Sequence, residues 1–167
     1  MSAGHIERVG IGTDIHRLEP GGPLRLGGVD VPFDRRLSGH SDADVVLHAV
    51  TDAILGAAGL PDIGERFPDA DPRYSGADSR GLLREVVADV AGRGYGVACA
   101  DVVIHAERPM LAAHKPAIRR SVAELLGVHA DRVSIKAKTN EGLDAVGRGE
   151  AVACTCVVGL ARRDREG

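Results

Sequence analysis

The fold of this chain is decided around residues 38–52, Ser38-Gly-His-Ser-Asp-Ala-Asp-Val-Val-Leu-His-Ala-Val-Thr-Asp52. Ser41 followed by Asp44 resembles a capping box, with Asp in place of the usual Glu or Gln. Apolar residues then recur at helical spacing. The pattern predicts a helix from about Asp42 to Gly59 that buries one apolar side.

A polar stripe lies opposite that apolar side. Asp44, His48 and Asp52 fall at i, i+4 and i+8, where neighbouring Cβ atoms are about 5–6 Å apart. A solvated helix face is the simplest interpretation. However, the stripe contains an imidazole and no Lys or Arg, and it follows His40-Ser41 at a helix start, where free N–H groups favour an anion. We therefore predict a functional site here, with partners from elsewhere in the chain.

Length and composition limit the possible classes of protein. The 167 residues predict one domain spanning 1–167, and the apolar residues are mostly aliphatic, which favours an aliphatic core and suggests a face buried against a second copy. The net charge is −3 and no long basic block occurs. These features argue against nucleic acid as the main partner.

The cysteines and the N-terminus bear on location. Cys99, Cys154 and Cys156 give no disulfide framework, and the last two, which share one strand face, are interpreted as buried thiols rather than a metal pair. Residues 1–7 lack the form of a signal peptide. No apolar run reaches the ~20 residues of a membrane helix. We expect a soluble cytoplasmic protein without a membrane partner.

Periodicity and turn signals predict the order strand, hairpin, helix, helix, strand, helix, strand, strand. The expected ranges are 8–16, 24–26 with 29–31, 42–59, 79–92, 97–106, 116–126, 133–138 and 151–160, with a Gly-rich loop over 139–150. This order predicts an α+β fold with a single mixed sheet and helices packed on one face. The charged tail 161–167 is expected to fray.

Residues 60–78 have no periodicity and many breakers. A stretch this long without structure is usually functional or disordered. A calcium loop is excluded because Pro72 and Arg73 interrupt the template and Arg80 stands where the closing Glu belongs. We predict a mobile loop that covers a substrate.

A metal site is predicted from two separate segments. Asp14 and His16 share one face of a strand, and His48 adds a second imidazole, which gives the three protein ligands of a catalytic zinc site with an open position. Lys138-Thr-Asn-Glu141 and Arg148 add groups suited to phosphate. The remaining histidines, His5, His105, His114 and His129, are interpreted as surface or core residues. The residues alone predict metal-assisted chemistry on a phosphorylated small molecule.

Motifs along nearly the whole chain resemble those of the 2-C-methyl-D-erythritol 2,4-cyclodiphosphate synthases. They extend from about Arg8 to Leu160 in the family's order. The matching segments are Gly12-Thr-Asp-Ile-His16, Leu26-Gly-Gly-Val29, Ser38-Gly-His-Ser-Asp-Ala-Asp44 with His48, Asp62-Ile-Gly64, Phe67-Pro-Asp69, Gly76-Ala-Asp-Ser79 and Gly147-Arg-Gly-Glu150. Each motif is modest alone, and together they are highly specific.

The resemblance implies a phosphorus–oxygen lyase of the non-mevalonate isoprenoid pathway. In the implied reaction, the 2-phosphate of 4-diphosphocytidyl-2-C-methyl-D-erythritol 2-phosphate attacks the β-phosphate of its own cytidine diphosphate group. CMP leaves, and 2-C-methyl-D-erythritol 2,4-cyclodiphosphate is formed. The resemblance also implies a homotrimer with active sites between subunits, and a central cavity that can hold an isoprenoid diphosphate near Arg148 and Glu150.

The resemblance assigns roles by position. Asp14, His16 and His48 would hold one Zn²⁺ per subunit, and Glu141 would place Mg²⁺ or Mn²⁺ across the diphosphate. The catalytic residues that stabilise the transition state would be His40 and Thr139. The substrate would be bound by Ser41, Asp62, Ile63, Gly64, Phe67, Asp69, Ala106, Met110, Lys138 and Arg148, with residues 106–112 forming the cytidine pocket of the adjoining subunit.

Several points are left open by the residues. Asp44, one turn before His48, is predicted to orient a ligand imidazole through its other nitrogen. Met110 and Ala145 stand where the family often has Lys and an aromatic residue. Arg148 and Glu150 fit an intersubunit ion pair as well as they fit an isoprenoid site. A zinc-dependent phosphoesterase and a non-catalytic trimeric metal- or isoprenoid-binding protein are the alternative functions.

Overall fold

The computed structural model describes residues 5–163. Its strands are β1 (Ile6–Pro20), β2 (Leu24–Leu26), β3 (Val29–Val31), β4 (Arg35–Leu37), β5 (Tyr95–His105), β6 (Val133–Lys138) and β7 (Ala151–Arg162). Its helices are α1 (Val45–Ala58), α2 (Ile63–Arg66), α3 (Ser79–Gly92), α4 (Lys115–Leu126) and α5 (Asp144–Gly147), with 3₁₀ turns at Pro72–Tyr74 and Ala130–Arg132.

Five strands form one mixed sheet in the order β4-β1-β7-β5-β6, and β2 and β3 form a separate hairpin. Only the β5–β6 pair of the large sheet is parallel. The long helices α1, α3 and α4 pack together on one side of this sheet. The predicted α+β class with a mixed sheet is confirmed.

Two glycines of β1 bring α1 into direct contact with the sheet. A Cβ atom at Gly10 would lie 2.0 Å from the carbonyl oxygen of Ala53, and one at Gly12 would lie 2.0 Å from that of Ala49. Only a residue without a side chain fits at these positions. Because Asp14 follows Gly12 on the same strand face and His48 precedes Ala49 on the helix, this close packing brings Asp14 and His48 together.

Helix α1 begins later than the sequence predicts. Asp44, not Ser41, is the N-cap, and its side chain accepts the N–H groups of Val46 and Leu47. Ala43 has a φ of +54°, which a helix cannot contain. The Ser41 hydroxyl instead accepts the Ala43 N–H at 3.1 Å in a local turn.

The other boundaries differ in detail. Strand β1 continues past the predicted end at residue 16 because its last residues, Leu18–Pro20, pair with β4, a three-residue strand that the sequence analysis missed. The loop predicted over 139–150 contains the short helix α5. Strand β7 runs to Arg162, so Ala161 and Arg162 are not frayed, whereas the tail residues 164–167 lie outside the described residues.

The buried side of the sheet is aliphatic, as predicted. Cys154 and Cys156 of β7 lie in it with exposed fractions of 1% and 0%. Burial raises the pKa of Cys156 to about 12, which makes it an inert thiol at neutral pH. Within residues 5–163, no helix is long and apolar enough to cross a membrane.

Candidate active site

Asp14 and His16 of β1 meet His48 of α1 at one point. Oδ2 of Asp14 lies 2.9 Å from Nε2 of His16 and 3.0 Å from Nδ1 of His48, and the two nitrogens are 3.2 Å apart. A tetrahedral zinc ion with bonds of 2.0–2.1 Å holds its ligands roughly 3.3 Å from one another. The three atoms therefore fit around one zinc-sized ion with little rearrangement, and among residues 5–163 they are the group arranged in this way.

The outer nitrogen of His16 sets its tautomer. Nδ1 lies 3.1 Å from the backbone carbonyl oxygen of Ser38. A carbonyl oxygen only accepts, so Nδ1 carries the proton and donates it. Nε2 is then the nitrogen that faces Asp14 and His48, and it becomes a metal ligand when a metal ion replaces the proton that it shares with Asp14.

The electrostatics of the three side chains favour a cation. The pKa of Asp14 is held well below its usual range, because hydrogen bonds with His16 and His48 outweigh the burial that would raise it. The pKa of His16 is raised, chiefly by its hydrogen bond with Asp14 and against the effect of burial. The three side chains thus favour positive charge at this point, which imidazole protons supply in the metal-free protein and a bound metal ion would supply in their place.

The position of Asp44 contradicts its predicted role, which was to orient a ligand imidazole. Its carboxylate is fully buried and accepts N–H groups from Gly27 at 2.8 Å, Gly28 at 2.7 Å and the first turn of α1. Both oxygens are therefore engaged with the backbone, and the outer nitrogen of His48 faces two serine hydroxyls instead. Asp44 joins the β2–β3 turn to α1 and does not orient an imidazole.

The segment 60–78, predicted to lack structure, is folded against the helices. Asp62 caps α2, and the carboxylate of Asp52 in α1 accepts the N–H of Ile63 at 3.0 Å. Arg66 forms ion pairs with Asp89 at 2.7 Å and Glu85 at 3.3 Å on α3. The prediction of a structureless loop is wrong because these side chains fix its backbone.

Residues assigned to the substrate differ in exposure. Phe67 is only 5% exposed and packs edge-on against Tyr74 with ring centroids 5.2 Å apart, so its ring supports the segment from inside. Ser41 is half-buried, and Ile63 is partly exposed. Asp62, Gly64 and Asp69 are exposed, and so is His40, which was assigned a catalytic role. Backbone hydrogen bonds from Gly76 to His40 and from Asp42 to Ala77 join this segment to the loop before α1.

A second group of predicted residues lies at the ends of β5 and β6. Lys138 pairs with His105, and its carbonyl accepts the N–H of buried Ala106. Thr139 donates its hydroxyl to Glu141 at 3.3 Å, and both are exposed. Met110 is 63% exposed.

These strand ends lie at the same end of the sheet as the cluster of Asp14, His16 and His48, but they are not next to it. Strands β7 and β5 lie between β1 and β6, so the two groups are separated by roughly 14 Å at ~4.8 Å per strand. Glu141 does not belong to the set of converging ligand atoms within residues 5–163. One copy of the chain therefore brings together only the first half of the predicted site.

Arg148 and Glu150 form an ion pair within the chain. The guanidinium donates to the two carboxylate oxygens at 2.9 Å and 3.2 Å, and both side chains are exposed. The sequence analysis considered an intersubunit pair, and the structure shows a local one.

Sequence reasoning missed Asp42 and Ser79, which lie behind His48. Ser79 opened the predicted helix 79–92 and ended the matching motif Gly76-Ala-Asp-Ser79, but no role was assigned to it. It is 1% exposed and lies beside the outer nitrogen of His48. The sequence offered one weak indication of this contact, since Asp42 lies within residues 38–52, the segment in which the site was predicted. Their contact depends on how α1 and α3 pack, which the sequence does not encode locally.

The fold and the site define an α+β protein with a centre of two imidazoles and one carboxylate, suited to a divalent metal ion beside exposed polar loops. Residues 7–161 match the model of the YgbB family. The chain belongs to this family, and the resemblance drawn from the motifs is confirmed.

Relatives cover nearly the whole chain. It is 56% identical over 156 residues to 2-C-methyl-D-erythritol 2,4-cyclodiphosphate synthase of Bordetella avium, covering 93% of this chain and 96% of that one. The enzyme of the same name from Moorella thermoacetica is 53% identical over 157 residues, covering 94% and 96%. A solved structure of 2C-methyl-D-erythritol-2,4-cyclodiphosphate synthase in a CDP-bound form has a TM-score of 0.85 at 42% identity, covering 92% and 99%.

Proposed function

We propose that the chain converts 4-diphosphocytidyl-2-C-methyl-D-erythritol 2-phosphate into 2-C-methyl-D-erythritol 2,4-cyclodiphosphate and CMP, as a phosphorus–oxygen lyase of non-mevalonate isoprenoid biosynthesis. The observation that carries this proposal is the convergence of Asp14, His16 and His48 in a chain that matches synthases of that name over nine-tenths of its length.

The barrier to this reaction is mainly electrostatic and positional. A phosphate must attack a diphosphate of the same sign, so the site needs positive charge and fixed donors rather than a strong base. A zinc ion bound by Asp14, His16 and His48 would supply a Lewis acid for an oxygen of the β-phosphate. Glu141 suits a second ion, since Mg²⁺ or Mn²⁺ is usually held by one or two carboxylates together with substrate phosphates.

The chain's own side chains would bind and stabilise the reacting groups. His40 and Thr139 are exposed and each offers a donor to a phosphoryl oxygen. Asp62, Ile63, Gly64 and Asp69 would line the methylerythritol part of the substrate. Because segment 60–78 is anchored to α1 and α3, these residues would exclude water without a large ordering cost.

A homotrimer with active sites between subunits is proposed for two reasons. Val9, Ile11 and Ile15 of β1 are 57–65% exposed on the sheet face opposite the helices, with Val157 of β7 beside them, and such a patch marks an interaction surface. In addition, Thr139 and Glu141 lie about three strand spacings from the metal ligands of their own chain. A neighbouring copy can bring its residues 106–112 and 138–141 to that centre.

The identity of the product tests the proposal. Purified protein with Zn²⁺ and Mg²⁺ is incubated with the cytidine substrate, and the products are followed by ³¹P NMR. The expected result is CMP together with the cyclic diphosphate. Linear phosphates would support the zinc phosphoesterase instead, and the absence of CMP release in a single turnover would support a binding protein.

An isoprenoid ligand near Arg148 stays a prediction.

A further inference from the structure

We infer that Asp42 and Ser79 are positioning residues that hold His48 in its metal-binding form. Neither residue belongs to the ligand set, and neither was predicted to act on the metal centre. The inference rests on the proposed function only in taking His48 as a metal ligand.

The three side chains form one continuous chain of hydrogen bonds. Nε2 of His48, the nitrogen that faces away from Asp14, lies 2.9 Å from the hydroxyl oxygen of Ser79. The Ser79 hydroxyl donates a hydrogen bond to Oδ1 of Asp42. The Ser79 N–H donates to the other oxygen of Asp42 at 3.1 Å, so the carboxylate accepts two hydrogen bonds from Ser79.

The direction of these bonds follows from the donors available. A carboxylate only accepts, so the single hydroxyl proton of Ser79 is donated to Asp42. The hydroxyl oxygen of Ser79 can then only accept a hydrogen bond from His48. Nε2 of His48 must therefore carry a proton, which it donates to that oxygen. Nδ1 of His48, which lies 3.0 Å from Asp14 and 3.2 Å from His16, is thereby left as the nitrogen that binds the metal ion.

Ser41 alone does not set this direction. Its hydroxyl oxygen lies 3.1 Å from Nε2 of His48 and also accepts the N–H of Ala43. Its proton can turn toward or away from the imidazole, so Ser41 is compatible with either tautomer. The carboxylate of Asp42, acting through Ser79, decides between them.

Asp42 is itself held in place. Its Oδ1 accepts the N–H of Asp44 at 3.3 Å, its backbone N–H donates to Ala77 at 3.2 Å, and Arg25 lies 4.0 Å from its Oδ2. Asp42 thus links the loop before α1 to the start of α3. The orientation of His48 depends on a junction between two helices.

The consequence is a metal affinity that depends on residues that do not touch the metal. Partners of this kind typically contribute 10–100-fold in affinity. We expect Ser79→Ala and Asp42→Ala to weaken zinc binding by roughly that factor. Asp42→Asn retains an oxygen that can accept from Ser79, so we expect it to recover much of the loss.

The experiment uses the full chain, stripped of metal and titrated with Zn²⁺ against a chromophoric chelator. Ser75→Ala and Asp34→Ala are matched controls, because both residues are exposed. Absorption of the Co²⁺-loaded proteins reports the ligand geometry, which a loss of stability alone would not change. Weaker zinc binding with an altered cobalt spectrum in the two alanine variants, and not in the controls, would support the inference.

Equal zinc affinity and an equal cobalt spectrum in all variants would overturn it. The wild-type protein gives a test that does not depend on how a variant folds. In the zinc-loaded protein, ¹⁵N NMR should find the proton of His48 on Nε2, and a proton on Nδ1 would contradict the inference. If the wild-type protein fails to bind zinc or to form the cyclic product, the proposed function fails instead, and the two failures are distinguishable.

Discussion

The carboxylate of Asp44 is fully buried and accepts backbone N–H groups from two separate parts of the chain, the β2–β3 turn and the start of α1. Burial raises its pKa to about 6, although the N–H groups of Gly28, Leu47 and Gly27 act in the opposite direction. At the residue scale, this group makes the stability of the protein depend on pH.

The sign of that dependence follows from proton binding. An unfolded Asp has a pKa near 3.9, so between about pH 4 and pH 6 the folded protein binds more protons at Asp44 than the unfolded chain. The stabilising contribution of this group is complete below about pH 4 and is lost as the pH rises through about 6. The amide side chain introduced by Asp44→Asn does not titrate.

We therefore expect the free energy of unfolding of the wild type, relative to Asp44→Asn, to fall by ~2–3 kcal/mol from pH 4 to pH 7. Urea denaturation of the two metal-free proteins at a series of pH values measures it, and Asp34→Asn is the control for an exposed carboxyl group. A constant difference across this range would show that Asp44 is not protonated within it.

At the residue scale, the sequence predicted the three proposed metal ligands but not the side chains that hold them in place. Asp14, His16 and His48 stood out because their chemistry and their spacing within a strand and a helix agreed. Asp42 and Ser79 are 37 residues apart and meet only because α1 and α3 pack side by side. The role of Asp44 was predicted wrongly because only His48, its neighbour on the helix, was considered as its partner. The Gly27-Gly28 turn, which is distant in the sequence, was not considered.

At the scale of elements, the contact between β1 and α1 determines the site. Gly12→Ala would put a methyl group 2.0 Å from the carbonyl oxygen of Ala49, and α1 would have to move away from β1. We expect a loss of stability of ~1–3 kcal/mol or more, with weaker zinc binding because His48 moves with the helix. Thermal unfolding and chelator competition measure the two effects.

Gly56→Ala is the matched control for that substitution, since it lies in α1 and its nearest neighbour across the interface is 3.9 Å from the added carbon. This variant should keep its zinc affinity. Unchanged zinc affinity in Gly12→Ala would mean that the close approach does not set the position of His48.

Arg66 anchors segment 60–78 to α3 through Asp89 and Glu85 and lies over the ring of Phe67. We expect Arg66→Ala to raise KM for the cytidine substrate several-fold, because the segment with Asp62 and Gly64 would lose its fixed position. Zinc affinity should not change. Steady-state kinetics check the effect against Arg84→Ala, which removes an exposed arginine from α3. An unaltered KM would show that other contacts suffice to hold the segment.

The order of the long elements was predictable because each has a clear period and clear terminators. The three-residue strand β4 was missed because it is too short to show alternation and forms only by pairing with the end of β1. The structure of segment 60–78 was missed for a related reason. The backbone of this segment is held in place by contacts with Asp52, Asp89 and Glu85, which belong to other elements.

At the scale of the whole molecule, the apolar face of β1 and β7 is the feature that a single chain leaves unexplained. Ile11 is 64% exposed and pairs with Val157 in the middle of that face. We expect Ile11→Asp to convert the proposed trimer into monomers, because a charge cannot be buried there without a partner. Catalysis should be lost and zinc binding kept, since the three ligands belong to one chain.

Sedimentation velocity and zinc titration measure these two outcomes, and Ala88→Asp on the exposed side of α3 is the control. A trimer that persists in Ile11→Asp would place the subunit interface elsewhere. The trimer itself was expected from the family resemblance. The exposed face is independent support for it.

Metal dependence of product formation tests the account most directly. The protein is stripped of metal and reloaded with Zn²⁺ in the presence of Mg²⁺, and formation of CMP and cyclic diphosphate is followed by ³¹P NMR, with Asp14→Ala as the matched protein. We expect one zinc per chain and full turnover after reloading, with no turnover in the stripped wild type or in Asp14→Ala. Undiminished cyclisation by the stripped protein would contradict it.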